Sequence, residues 1–218
     1  MKPAIAVLAK APAPGLAKTR LIPALGAQGA AALAARLLEH ASAQAVAAAL
    51  GPVTLWATPD LLHPLWPRLQ QSLGLALALQ PDGDLGRRMA HAFCSTSGPL
   101  LLTGTDMPGL DATVLGEAAA RLASHDAVFV PALDGGYGLV GLRQATPATL
   151  QALFDGMTWS TPTVMAVTRQ RLAAAGLRHA ELPALPDIDE PDDLRHLPPA
   201  LMPPALRPTP DRRTRGAA

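Results

Sequence analysis

The sequence predicts an α/β fold with a mostly parallel sheet covered by helices on both faces. Short apolar runs bounded by turn residues recur at residues 4–9, 52–58, 75–80, 99–105 and 127–133, with alanine- and leucine-rich helical segments between them. Strands that alternate with helices favour parallel pairing, because each crossover helix returns the chain to the same end of the sheet. The 218 residues suffice for one such domain. A composition of 49 % hydrophobic and 16 % charged residues belongs to a globular chain rather than a disordered one.

Each element has a local signal. The first run, residues 4–9, opens into a loop stiffened by Pro12 and Pro14. A long helix is expected over Ala27–Leu50, since alanine is the best helix former and Gly26 and Gly51 punctuate its ends. A further helix follows Leu85 and carries Cys94, expected as a small apolar filler. Between Ala132 and Leu142 the alternation breaks at Asp134-Gly135-Gly136-Tyr137-Gly138, which reads as a hairpin-like excursion at the edge of the sheet. Thr146-Pro147 and Thr161-Pro162 each place a capping hydroxyl before a proline at the first helical position, and Gly156 and Gly176 are the expected stops. The domain is therefore expected over residues 1–197. A Pro- and Arg-rich tail over 198–218, without apolar periodicity, is expected to be disordered.

Several classes of function are disfavoured. The formal net charge of +1 provides no broad footprint for nucleic acid or an anionic membrane. Cys94 is the only cysteine, so neither an internal disulfide nor a multi-thiolate metal site can form. The N-terminal apolar run is too short for a signal-sequence core, and no membrane span is expected; a cytoplasmic location fits best. Neither a Gly-x-Ser-x-Gly elbow nor a His-Glu-x-x-His pair occurs, and no Gly-x-Gly-x-x-Gly follows the first strand.

Three constellations remain. Leu100-Leu101-Leu102-Thr103-Gly104-Thr105-Asp106-Met107-Pro108 is an apolar run ending in one carboxylate, where a strand would leave the sheet at its ligand-binding edge. Asp106 could cap the turn that follows, or ligate a divalent cation together with substrate phosphates. Lys10, Lys18 and Arg20 lie within eleven residues on one loop and match a polyphosphate, although Pro12 and Ala17 replace the glycines of a Walker loop. Asp187-Ile188-Asp189-Glu190-Pro191-Asp192-Asp193 places five carboxylates in seven positions, of which Asp187 or Asp189 could reach a metal while Asp189-Glu190-Pro191 starts a helix. Asp134 is the candidate general base, in a turn that Gly135 and Gly136 leave open to a ligand; the same residue could simply cap that turn. Trp159 could be an acceptor platform or a buried anchor.

Lys10 to Gly26, Gly104 to Leu110, Pro131 to Leu142 with its Asp-Gly-Gly-Tyr, and Asp187 to Leu194 together resemble, in the same order, the DUF2064 family of GT-A-like nucleotide-diphospho-sugar transferases. The resemblance implies a single GT-A domain, a three-layer α/β/α with a mixed, mainly parallel sheet. It implies phosphate contacts from Lys10, Lys18 and Arg20, base and ribose contacts from Gln80 and the segment with Gly86 and Arg88, and acceptor contacts from Gly135, Gly136, Tyr137 and Trp159. It further implies a metal, Mg²⁺ or Mn²⁺, on Asp106 and Asp189. Gly104 departs from the Asp-x-Asp of typical GT-A glycosyltransferases.

The expected function is a metal-dependent transferase with a nucleotide-activated donor, foremost a nucleotide-sugar glycosyltransferase acting on a small-molecule acceptor. The alternative is a nucleotidyltransferase that uses a nucleoside triphosphate and a small phosphorylated acceptor. A non-catalytic nucleotide-binding module ranks below both.

Overall fold

The computed structural model describes residues 2–203. The chain runs β1 (Ala4–Lys10), α1 (Ile22–Ala47), β2 (Val53–Thr58), α2 (Leu65–Leu73), β3 (Ala76–Leu79), α3 (Leu85–Cys94), β4 (Leu100–Thr103), α4 (Ala112–Leu122), β5 (Ala127–Pro131), β6 (Tyr137–Leu142), α5 (Pro147–Phe154), α6 (Val164–Ala174) and β7 (His179–Glu181). Short 3₁₀ turns occupy Thr19–Leu21, Pro191–His196 and Pro199–Leu201.

The seven strands form one sheet in the order β3-β2-β1-β4-β6-β5-β7. All pairings are parallel except those of β6, which runs antiparallel to both β4 and β5. The expected hairpin excursion is thus a full strand, inserted between two strands that run the other way.

Alternate side chains of each strand serve opposite layers, as the two-residue period of a strand requires. Ile5, Val7, Leu55, Leu101 and Val128 pack with Leu38 of α1, Trp66 of α2 and Leu115 of α4. Ala6, Trp56, Leu102 and Phe129 pack with Phe93 of α3, Leu153 of α5 and Leu172 of α6. This is the expected three-layer arrangement.

Several boundaries differ from expectation for identifiable reasons. Gly26 adopts φ 69°, ψ 165°, so a helical turn from Ile22 precedes it and the long regular part of α1 follows. α1 is long and apolar enough, by length and composition, to pass for a membrane span. Its Leu33, Leu37, Leu38 and Ala45 are nonetheless buried against the rest of the chain. Thr146 caps α5 by accepting from the Thr149 N–H, as expected. Thr161 caps nothing: α6 begins at Val164, and the Thr161 hydroxyl instead donates to the Thr158 carbonyl. Cys94 ends α3 in an exposed position and fills no core gap, because it falls on the outer face of that helix.

A third apolar cluster joins Leu21, Leu33 and Leu37 to Ile188 and Leu197, with Leu201 and Met202 against it. The first residues of the expected tail therefore pack on α1; residues 204–218 lie outside the described residues.

Candidate active site

From β1 the chain crosses through α1 to β2 on one side, and from β3 it returns through α3 to β4 on the other. α1 and α3 lie on opposite faces, so the strand ends diverge between β1 and β4, where open α/β sheets bind ligands. A cleft of about 600 Å³ opens there. It collects most of the residues singled out in the sequence: Lys10, Lys18, Arg20, Gln80, Arg88, Asp106, Asp134, Gly136, Tyr137, Trp159 and Asp189.

Lys18 borders the cleft with its ammonium already engaged by the protein. Its ammonium lies 2.5 Å from Asp106 Oδ1 and 2.8 Å from Asp189 Oδ1, and it donates to the Ile188 carbonyl at 2.6 Å. Its side chain is only 7 % exposed. Burial works against the charge, but the Asp106 and Asp189 carboxylates outweigh it and hold the ammonium above its ordinary range. Two segments far apart in the chain meet here, because the Ile188 N–H donates to the Asp106 carbonyl at 2.8 Å and the Ile188 side chain is fully buried. Asp193 Oδ2 accepts from the Asp189 and Glu190 N–H groups, which makes Glu190, not Asp189, the cap of the following turn.

Beyond this pair lie two carboxylates with no cation on them. Asp134 Oδ1 accepts from the Gly136 N–H at 2.8 Å, so Asp134 does cap its turn, yet it also lines the cleft. Asp187 faces the same space. Burial pushes its carboxyl up to about 6, and the charges of Asp134, Asp189 and Asp193 add to that rise against one opposing backbone hydrogen bond. The sequence reading noted Asp187 but chose Asp189. The signal available was the fully apolar Ile188 between them, which fixes two acidic side chains around one buried anchor.

The other positions divide between contact and support. Lys10 ends β1 in an exposed position, and the exposed Arg20 sits 3.8 Å from Glu190. Gln80 is buried and its amide nitrogen donates to the Ala9 and Trp56 carbonyls, leaving Oε1 for a ligand. Arg88 donates from Nε to the Gly83 carbonyl. Gly86 does not border the cleft: a β-carbon there would come 2.9 Å from the Phe154 carbonyl and 3.0 Å from the Trp159 ring. Gly135, at φ +94°, lies under the Pro162 carbonyl, 2.0 Å from where its β-carbon would be. Both glycines therefore serve packing, which corrects their expected substrate contacts; Gly136 keeps its place on the cleft. Trp159 is half-buried between Phe154 and Tyr137, with ring centroids 6.4 Å from each, and still borders the cleft. Burial holds the Tyr137 phenol above its ordinary range, which keeps it neutral.

A divalent cation fits one place. Among the described residues no group of three or more His, Cys, Asp or Glu is arranged as a metal site. Asp106 and Asp189, however, converge on a single position, the one that the Lys18 ammonium holds. Two carboxylates with phosphate oxygens and water are a sufficient donor set for Mg²⁺.

Comparison with known proteins agrees with this architecture. A search of curated proteins finds no match. Among solved structures, the chain is similar to a "putative nucleotide-diphospho-sugar transferase" from Desulfovibrio desulfuricans G20, with 29 % identity, a TM-score of 0.78 and coverage of 89 % of this chain and 85 % of that one. It shares its fold with the 4-diphosphocytidyl-2C-methyl-D-erythritol synthase of Anaerococcus prevotii DSM 20548, at 10 % identity, a TM-score of 0.58 and coverage of 89 % and 96 %. It shares it as well with a CMP:2-keto-3-deoxy-manno-octonic acid synthetase complexed with CTP, at 12 % identity, a TM-score of 0.53 and coverage of 90 % and 96 %. Residues 27–161 match the model of the family described as "Uncharacterized protein conserved in bacteria (DUF2064)". With the fold, the cleft and that match in agreement, the chain belongs to the DUF2064 family.

Proposed function

We propose that the protein is a metal-dependent transferase that takes a nucleotide-activated donor, foremost a nucleotide sugar, and passes its activated group to a small acceptor. The observation that carries this reading is the convergence of Asp106 and Asp189 on one cationic position at the floor of a cleft whose rim carries Lys10 and Arg20. The name of the Desulfovibrio relative and the CTP complex of a protein of like fold support it. Lys10 and Arg20 would hold the diphosphate, Arg20 by its fork of donors. A divalent cation on Asp106 and Asp189 would offset the charge that develops on the departing diphosphate.

Asp134 lines the same cleft, with one oxygen committed to Gly136 and the other available to a ligand. The acceptor oxygen forms its bond to the anomeric carbon as the bond from that carbon to the phosphate oxygen breaks. The acceptor's hydroxyl proton passes to Asp134. Asp134→Asn should then lower turnover by roughly 10² to 10⁴ with nucleotide affinity nearly unchanged. Equal activity in steady-state assays would leave Asp134 as a turn cap only.

Nucleotidyl transfer is the second reading, favoured by Gly104, where the chain has no carboxylate although the space around its β-carbon position is open. Thermal-shift screening with nucleoside triphosphates and UDP-, GDP- and ADP-sugars, each with Mn²⁺, followed by product analysis, separates the two. Release of nucleoside diphosphate from a nucleotide sugar supports glycosyl transfer, and pyrophosphate release supports nucleotidyl transfer. The absence of any shift with every ligand would contradict both.

A further inference from the structure

We infer that Lys18 is a built-in placeholder for the metal: its ammonium closes the Asp106–Asp189 pair in the free protein and transfers to the diphosphate when nucleotide and metal arrive together. The inference rests on the reading of Asp106 and Asp189 as metal ligands given above, and adds to it an obligatory exchange of partners.

Three observations carry it. First, the position is one-fold occupied: both carboxylate Oδ1 atoms and the Ile188 carbonyl are satisfied by the same nitrogen, within 2.8 Å. An ammonium and a divalent cation cannot share that position, because two like charges at such separation repel strongly.

Second, the segments that carry the carboxylates are held independently of Lys18. The Ile188 N–H to Asp106 carbonyl bond, the buried Ile188 side chain and the Asp193 cap fix the two segments against each other. Removing the ammonium therefore leaves the two segments in place, and the carboxylates, 46 % and 39 % exposed, remain reachable from the cleft.

Third, Lys18 has other charged positions within the same cleft to turn towards. It sits at φ 49°, ψ 45°, a left-handed conformation unfavourable for a residue with a side chain, at the mouth of a loop whose other cations, Lys10 and Arg20, line the same cleft. A diphosphate held by those two cations would lie in the cleft that Lys18 also borders, and a flexible four-carbon stem lets the ammonium change partners.

The consequence is a coupling. In the wild-type protein a metal alone must displace an ion pair without compensation, whereas a metal with nucleoside diphosphate offers Lys18 a new partner. By linkage each ligand must tighten the other by the same factor.

The test is calorimetric titration of Mn²⁺ alone, and of Mn²⁺ in the presence of UDP, CDP, GDP or ADP, into the wild type, Lys18→Met and Lys18→Gln. Mn²⁺ alone should bind the variants at least tenfold more tightly than the wild type, and the tightening by nucleotide should shrink in the variants. Equal affinity for Mn²⁺ alone in all three proteins, with metal-dependent nucleotide binding intact in the wild type, overturns the placeholder and leaves the proposed function standing. If no protein binds Mn²⁺ even with nucleotide, the metal reading falls as well. Should the variants not fold, refolding in Mn²⁺ decides: recovery of soluble, cooperatively melting protein supports the placeholder, and no recovery overturns it.

Discussion

The wall of the cleft that carries the basic loop is held by charge, with Lys18 between Asp106 and Asp189, whereas the wall around Gly136, Tyr137 and Trp159 is held by close packing, with Gly135 under the Pro162 carbonyl and Gly86 against the Trp159 ring. Charge contacts can be exchanged for other charge contacts, so the first wall suits a site that trades partners as ligands bind. Close-packed backbone has no alternative arrangement of similar energy, so the second wall keeps one shape.

The largest expected effect falls on the packed wall. Gly135→Ala would place a β-carbon 2.0 Å from the Pro162 carbonyl and impose φ +94° on a residue with a side chain. A loss of about 3 kcal/mol or more is expected in chemical denaturation. A loss within experimental error would show that the 159–163 segment yields freely, and the contrast between the walls would fail.

Next come two glycines that bracket the comparison. Gly86→Ala meets the Phe154 carbonyl and the Trp159 ring and should cost about 1–3 kcal/mol while changing Trp fluorescence. Gly104→Ala, with open space and no left-handed backbone, should stay within about 0.5 kcal/mol. Similar melting temperatures for the two variants would mean that the packing around Gly86 is looser than its contacts indicate.

A smaller, pH-dependent effect than that at Gly135 or Gly86 concerns Asp187, raised to about 6 by burial and by the facing charges of Asp134, Asp189 and Asp193. A carboxyl whose folded-state pKa lies above its unfolded value binds its proton more tightly in the fold. Its stabilising contribution is complete below about pH 3.8 and is lost as the pH rises through about 6. Asp187→Asn should therefore stabilise the protein near neutral pH by about 1 kcal/mol or less, given partial solvation. The gain should vanish towards pH 4 in melting curves recorded across that range. A constant difference across pH would assign the effect to packing instead of ionisation.

What the sequence made legible follows the same division. Lys10, Arg20, Asp106 and Asp189 stood out in the sequence because charged residues just past apolar runs, among prolines and glycines, have few structural uses, and the fold brings all four to one cleft. The layers were readable from strand and helix alternation. The insertion of β6 between β4 and β5 was not, since Tyr137–Leu142 carries the same apolar pattern whichever strand it joins, and the Gly-Gly turn signalled only the hairpin with β5. The packing roles of Gly86 and Gly135 were equally hidden. They depend on Trp159 and Pro162, which approach only once α3, α5 and the loop before α6 have docked. The partner of Lys18 was hidden for the same reason: its carboxylates lie 88 and 171 residues away along the chain, and a basic loop read alone points to phosphate.

The central claim, that Asp106 belongs to a metal-dependent nucleotide site, is tested most directly by titrating a nucleoside diphosphate into wild type and Asp106→Asn, each with and without Mn²⁺, by calorimetry. The account predicts that Mn²⁺ tightens binding to the wild type at least tenfold and leaves binding to the variant unchanged, because the amide keeps the shape of the side chain and removes the charge. The same metal dependence in both proteins would contradict it and return Asp106 to the role of a partner for Lys18 alone.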